Sequence, residues 1–123
     1  MAKRILVIDD DPTLLKLIQG VLSSNGFEVL SASEAPGGLE LAMKQSPDLI
    51  ILDVMMPIIN GFNICRLMKS KHGHKHIPII LLTSRSTEAD QKIGQEVGAD
   101  AYVTKPFKTE ELLNKIKELL SVT

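Results

Sequence analysis

Hydrophobic and polar positions along the chain alternate between short apolar runs and stretches of helical spacing. Ile5-Leu6-Val7-Ile8 is apolar without interruption, the pattern of a central strand covered on both faces. Leu14, Leu15, Ile18, Val21 and Leu22 then recur at helical spacing, behind Asp11 as a cap and Pro12 at the first helical position. Asn25-Gly26 ends that helix. Phe27-Glu28-Val29-Leu30 alternates, as a strand nearer an edge does. A second helix holds Leu39, Leu41 and Ala42, with Ser33 as its candidate cap and Ser46-Pro47 as its close. Gly37-Gly38 weakens its start by about 1 kcal/mol per glycine against alanine, and the pattern offers no reason for the pair. Leu49-Ile50-Ile51-Leu52 is a second fully apolar strand, ending at Asp53. Beyond Pro57 and Gly61 a helix carries Phe62, Ile64, Cys65, Leu67 and Met68. His72 to His76 form a polar loop, and Ile77-Pro78-Ile79-Ile80-Leu81-Leu82 reads as a strand with its proline near the start, where it is tolerated. A polar helix from Thr87 to Val97, a short strand Ala101-Tyr102-Val103 and a helix from Thr109 to Leu120 complete the pattern.

Five strands alternating with five helices predict an α/β protein: a single doubly wound (βα)5 domain with a parallel five-stranded sheet. Strand order 2-1-3-4-5 places the two most apolar strands, first and third, side by side at the centre. The 123 residues suffice for one domain with one core, so the expected unit is 1–123 with no output domain in this chain. A hydrophobic share of 44% with 24% charged residues is an ordinary globular balance, and a net charge of -1 argues against general affinity for nucleic acid or anionic membrane. The run Ile5–Ile8 is too short for a signal peptide or a membrane span. The single cysteine rules out an internal disulfide and makes the cytoplasm the expected compartment; Cys65 itself reads as core.

Ligands of open α/β sheets bind beyond the carboxyl ends of the strands, where the strand order reverses. The first strand ends on Asp9-Asp10, the third on Asp53, the fourth on Thr83-Ser84 and the fifth on Thr104-Lys105. Two like charges in contact repel by about 4 kcal/mol at an effective dielectric near 20, so clustered carboxylates call for a proton or a cation. Hard oxygen ligands suit Mg²⁺. A carboxylate between a divalent ion and the Lys105 ammonium is a plausible nucleophile for phosphorus, with Thr83 as a hydroxyl donor to the phosphoryl oxygens.

These residues resemble the receiver domain of bacterial two-component response regulators, a flavodoxin-like fold, over essentially the whole chain. The matching motifs are Val7-Ile8-Asp9-Asp10-Asp11, Leu52-Asp53-Val54-Met55-Met56-Pro57, Gly61, Leu82-Thr83-Ser84 and Tyr102-Val103-Thr104-Lys105-Pro106-Phe107. The resemblance implies that Asp53 is the phospho-acceptor and that Asp9, Asp10, Asp53 and the Met55 backbone carbonyl hold the metal. It further implies that Lys105 binds the phosphoryl group, that Thr83 and Tyr102 form the switch, and that the Lys105-Pro106 bond is cis. Met55 and Arg85 stand at positions that vary in the family and affect phosphoryl lifetime, and Ser84 stands where alanine or glycine is usual. The implied partners are a sensor histidine kinase or phosphotransfer protein and a downstream protein or output domain. The implied state is a monomer or a weak phosphorylation-dependent dimer, and the implied role is signalling rather than enzymatic.

Three rival functions remain on the sequence. A haloacid-dehalogenase-type phosphatase needs a second carboxylate two residues after the nucleophile, where this chain has Met55. A flavin or nucleotide binder needs a glycine- or hydroxyl-rich cradle after the first strand, where this chain has acids. An interaction module that is never phosphorylated would not need the full site. His72, His74 and His76 could bind a transition metal but read first as a solvated loop.

Overall fold

A computed structural model of the chain describes residues 2–71, 73–84 and 87–120. The strands are β1 (Arg4–Ile8), β2 (Glu28–Ala32), β3 (Leu49–Asp53), β4 (Ile79–Thr83) and β5 (Ala101–Thr104). The helices are α1 (Pro12–Ser24), α2 (Ala35–Gln45), α3 (Gly61–Ser70), α4 (Glu88–Glu96) and α5 (Thr109–Leu120). The sheet order is β2-β1-β3-β4-β5, and every neighbouring pair is parallel. Arg85 and His72 lie outside the described residues.

Alternation along each strand divides the core in two. Leu6, Ile8, Ile50, Leu52, Ile79 and Leu81 pack with residues of α2, α3 and α4. Ile5, Val7, Leu49, Ile51, Ile80 and Leu82 pack with Leu15, Ile18 and Leu22 of α1 and Leu112 and Ile116 of α5. Asp11 caps α1 as the pattern predicts, accepting from the amides of Thr13 (3.0 Å) and Leu14 (3.3 Å). Each such cap is worth about 1 kcal/mol.

Four local expectations are corrected. The residue before α2 is Glu34, which makes no side-chain cap bond, and Ser33 is exposed. The second strand starts one residue later and ends two residues later than its alternation suggests, because its pairing aligns Arg4 with Glu28 and Ile8 with Ala32. The fourth strand starts at Ile79, not Ile77, since Pro78 offers the sheet only its carbonyl, which accepts from the Ile50 amide at 3.0 Å. Leu67 lies on the outer side of α3 and is 40% exposed.

The glycine pair in α2 acquires half an explanation. A Cβ on Gly38 would stand 2.7 Å from the side chain of Ile8, so α2 crosses β1 at a distance only glycine permits. No comparable contact singles out Gly37, whose Cβ would meet only its neighbour Glu34, at an ordinary 3.5 Å.

Candidate functional site

The carboxyl ends of β1 and β3, adjacent across the reversal in strand order, bring Asp9, Asp10 and Asp53 together. One carboxylate oxygen from each lies within 4.8 Å of the other two. Asp9 is 1% and Asp53 4% exposed, whereas Asp10 faces solvent. The Asp11 amide donates to Asp9 Oδ1 at 2.9 Å, and the Met55 amide donates to Asp53 Oδ1 at 3.3 Å. Lys105, 96 residues along the chain from Asp9, donates to Asp9 Oδ2 at 3.0 Å and lies 3.6 Å from Asp53 Oδ1. The Lys105 amide also donates to the Thr83 carbonyl at 2.8 Å, which ties the end of β5 to the end of β4. The Lys105-Pro106 bond is cis.

Three carboxylates therefore face one ammonium, and the imbalance appears in Asp53. Burial pushes its carboxyl up to about 6, and Asp9 pushes the same way; Lys105 and the Met55 amide pull it back, and Asp10 adds a smaller push upward. Desolvation and like charge destabilise the carboxylate form, which a bound divalent cation would relieve. The donor set is all oxygen, with carboxylates from two strand ends, and it suits a small hard cation.

The sheet alternation sorts the remaining residues. Asp53 follows Ile51 and falls on the α1 and α5 side, while Thr83 follows Leu81 and falls on the α3 and α4 side. Tyr102 packs with that second cluster. Its ring lies against α4 at Gly94, where a Cβ would come within 2.9 Å. Leu81 pairs with Tyr102 and Thr83 with Thr104, so Thr83 and Tyr102 are diagonal neighbours on one face. Ser84 is exposed at the mouth of the site.

Gly61 begins α3 directly against the end of β3. A Cβ there would collide with the Asp53 carbonyl and stand 2.8 Å from Val54 Cα. The Gly61 amide donates to the Val54 carbonyl at 2.9 Å and closes the β3–α3 loop. Within that loop the sequence pattern gave no notice of Ile58, which adopts φ +74° and is 85% exposed. Its only sequence signal is an isoleucine directly after Pro57, outside any periodic run.

The histidine loop does not assemble a metal site among the described residues, where the one candidate group is Asp9, Asp10 and Asp53. His74 Nε2 instead lies 3.2 Å from the Met43 carbonyl, tying the loop to α2, and His76 is exposed. Cys65 is buried, its thiol pushed up to about 11 chiefly by burial, and it contacts the Val97 carbonyl at 3.6 Å. Among the described residues no helix is long and apolar enough to cross a membrane.

Comparison with known proteins agrees with this geometry. Residues 5–117 match the family model of the response regulator receiver domain. The chain is 38% identical over 120 residues to the DNA-binding response regulator MtrA of Mycolicibacterium smegmatis, covering 98% of this chain and 51% of that protein. It is also 38% identical over 120 residues to the alkaline phosphatase synthesis regulator PhoP of Bacillus subtilis, covering 98% and 49%. The chain thus spans about half the length of the curated relatives it matches. Among solved structures it superposes on a CheY-like receiver domain protein of Methanospirillum hungatei with a TM-score of 0.92 and 30% identity, covering 98% and 95% of the two chains. The receiver domain of sensor histidine kinase PA1611 of Pseudomonas aeruginosa, with a magnesium ion in its active site cleft, superposes with a TM-score of 0.90 at 26% identity, covering 98% and 99%.

Proposed function

This chain belongs to the response regulator receiver domain family, and on that premise we propose that Asp53 is the acceptor of a phosphoryl group whose arrival switches the affinity of the surface around α4 and β5 for a partner. The observation that carries the proposal is the convergence of Asp9, Asp10 and Asp53 around one ammonium, that of Lys105. Asp53 is the member that is both buried and not hydrogen-bonded to Lys105 within 3.5 Å, so its carboxylate is the less satisfied of the two buried ones.

Asp9, Asp10, Asp53 and the Met55 carbonyl would hold Mg²⁺, which when bound supplies positive charge for the phosphoryl oxygens. The donor is the phosphohistidine of a sensor kinase or phosphotransfer protein, or a small phosphodonor. A carboxylate oxygen of Asp53 forms the new bond to phosphorus as the bond from phosphorus to the imidazole nitrogen breaks, and the departing imidazole takes up a proton. Lys105 stays with the transferred group and donates to one of its oxygens. Thr83, at the end of the adjacent strand, moves its hydroxyl toward another. That movement opens space on the α3 and α4 side, and Tyr102, resting on Gly94, turns into it. The position of α4 and the exposed edge of β5 shift together, which biases a two-state surface. Downstream, the partner is a separate protein or an output domain. We assign the chain no direct contact with nucleic acid or membrane, a cytoplasmic site of action, and a monomeric or weakly dimerising state. Its own phosphotransfer chemistry serves signalling and turns over no external substrate.

Intact mass after incubation with acetyl phosphate tests the acceptor. A single added phosphoryl group that requires Mg²⁺ and is absent from Asp53→Asn is expected. An adduct that survives in the variant would place the acceptor elsewhere.

A further inference from the structure

We propose that the outer face of α3 and the α3–β4 loop form a docking surface for an acidic helix of a protein partner, independently of the acceptor role of Asp53. Charge is spread unevenly along this chain. From Val54 to Thr87 the sequence has no Asp or Glu, although it holds 15 in all, while Arg66, Lys69, Lys71 and Lys75 fall within that run. On the outer face of α3, Asn63, Arg66, Leu67 and Ser70 recur at helical spacing and are exposed. Lys71 ends the helix, and Lys75 and His76 are exposed just beyond it. Lys69 is paired with Asp100 at 2.8 Å. Among the described residues Arg66, Lys71 and Lys75 form no ion pair.

Two features separate this face from an ordinary solvated one. The negative end of the α3 dipole accounts for a cation at Lys71, but it fades within the last turn and leaves Arg66, in mid-helix, unexplained. The loop is also tied down. The Lys75 amide donates to the Lys71 carbonyl at 2.8 Å, and Lys69 Nζ donates to the Lys75 and Ile77 carbonyls at 3.3 and 2.8 Å. His74 Nε2 lies 3.2 Å from the Met43 carbonyl. Cations carried on a fixed backbone lose less freedom on binding. The chemistry of the face selects the occupant. Leu67, 40% exposed, adjoins Arg66 and lies one turn from Lys71. An apolar centre within a cationic rim is complemented by an apolar side chain flanked by carboxylates, which a helix supplies at i, i+3 and i+4. Single-stranded nucleic acid would need exposed aromatic rings to stack on, and the one aromatic residue of α3, Phe62, is buried. A membrane would need a broader apolar face than one leucine.

The test uses a fluorescein-labelled, capped helical peptide of about 18 residues, with a stripe of leucines bordered by glutamates, read by fluorescence anisotropy at low salt. A second peptide has glutamine for every glutamate. The unphosphorylated chain should bind the glutamate peptide about tenfold more tightly than the glutamine peptide. The triple variant Arg66→Gln, Lys71→Gln, Lys75→Gln should lose about tenfold, as expected for three exposed charge contacts. Leu67→Gln should lose about fivefold, as part of one leucine is no longer buried. Removing three exposed lysines elsewhere, by Lys16→Gln, Lys108→Gln and Lys117→Gln, should lose at most about twofold. All these positions are exposed, and an unchanged urea midpoint shows that each variant is folded. No binding of the glutamate peptide to the unmodified chain would overturn the proposal, as would equal losses from the two triple variants or full binding by Leu67→Gln. Tighter binding to a thymidine oligonucleotide or to phosphatidylglycerol vesicles, lost in the Arg66 triple variant, would also overturn it and reassign the face to nucleic acid or membrane. None of these readings involves Asp53, so failure of the acceptor reading would leave the outcome unaffected.

Discussion

Replacing Asp53 by asparagine should make the metal-free protein more stable. The carboxyl stands at about 6 in the folded chain against an ordinary 3.8, with burial as the largest cause and Asp9 the next. That difference corresponds to about 3 kcal/mol of unfavourable free energy once Asp53 is ionised in the fold, an upper bound for the gain in Asp53→Asn at neutral pH. The pH dependence has a definite sign. Between about 4 and 6 the folded state keeps the proton that the unfolded chain has already released. Folding then takes up a proton, and stability falls as pH rises through this window, levelling off above it. The advantage of Asp53→Asn should therefore be near zero below pH 4, grow through the window and stay constant above pH 7. Urea denaturation in EDTA at a series of pH values reads this directly. With a slope of about 1–2 kcal/mol per molar urea, a gain of 2–3 kcal/mol moves the midpoint by about 1–3 M at pH 7.5. Mg²⁺ should narrow or close the gap: at a hundred times its dissociation constant it stabilises the unmodified chain by about 2.7 kcal/mol, and the variant, lacking one ligand, gains less. A variant no more stable than the unmodified chain at pH 7.5 in EDTA would refute the reasoning, because it would mean that Lys105 already neutralises the cluster.

Further substitutions address the packing that frames the site. Gly38→Ala should destabilise by about 1–3 kcal/mol despite alanine's better helix propensity, since its Cβ would press on Ile8 at 2.7 Å; a stabilised variant in urea unfolding would show that α2 can lift off β1. Lys69→Met should cost about 1–3 kcal/mol, because Lys69 Nζ binds the Ile77 carbonyl and Asp100 Oδ2, both at 2.8 Å, and its loss leaves the Asp100 carboxylate with the Ile79 amide but no cation; an unchanged urea midpoint would mean that water replaces it fully. Tyr102 is the single tyrosine in a chain without tryptophan, so intrinsic fluorescence reports its ring alone. Gly94→Ala, whose Cβ would sit 2.9 Å from that ring, should shift the signal before phosphorylation and shrink the change on phosphorylation; identical spectra would separate Tyr102 from α4.

Much of this architecture was legible in the sequence because it depends on local pattern. The uninterrupted runs at Ile5–Ile8 and Leu49–Leu52 mark strands covered on both faces, and each is followed by the carboxylates that a strand end delivers to the edge of a parallel sheet. Asp11-Pro12 announces the start of α1 through capping and proline geometry, both properties of a few adjacent residues. Other features come from contacts between distant segments, which no local pattern encodes. Gly38 looked like a weak helix start until β1 was placed beneath it. His74 read as part of a solvated loop until α2 offered the Met43 carbonyl. Residues 9 and 105 meet only because β1 and β5 end at the same edge of the sheet. The exposure and left-handed backbone of Ile58 emerge only when Gly61 closes the loop on Val54. The sequence by itself thus determined the elements and the chemistry at their ends. Tertiary structure alone decided which charges share a pocket, which glycines are spacers and which apolar side chain is left outside, since burial and electrostatics depend on distances that long-range packing sets.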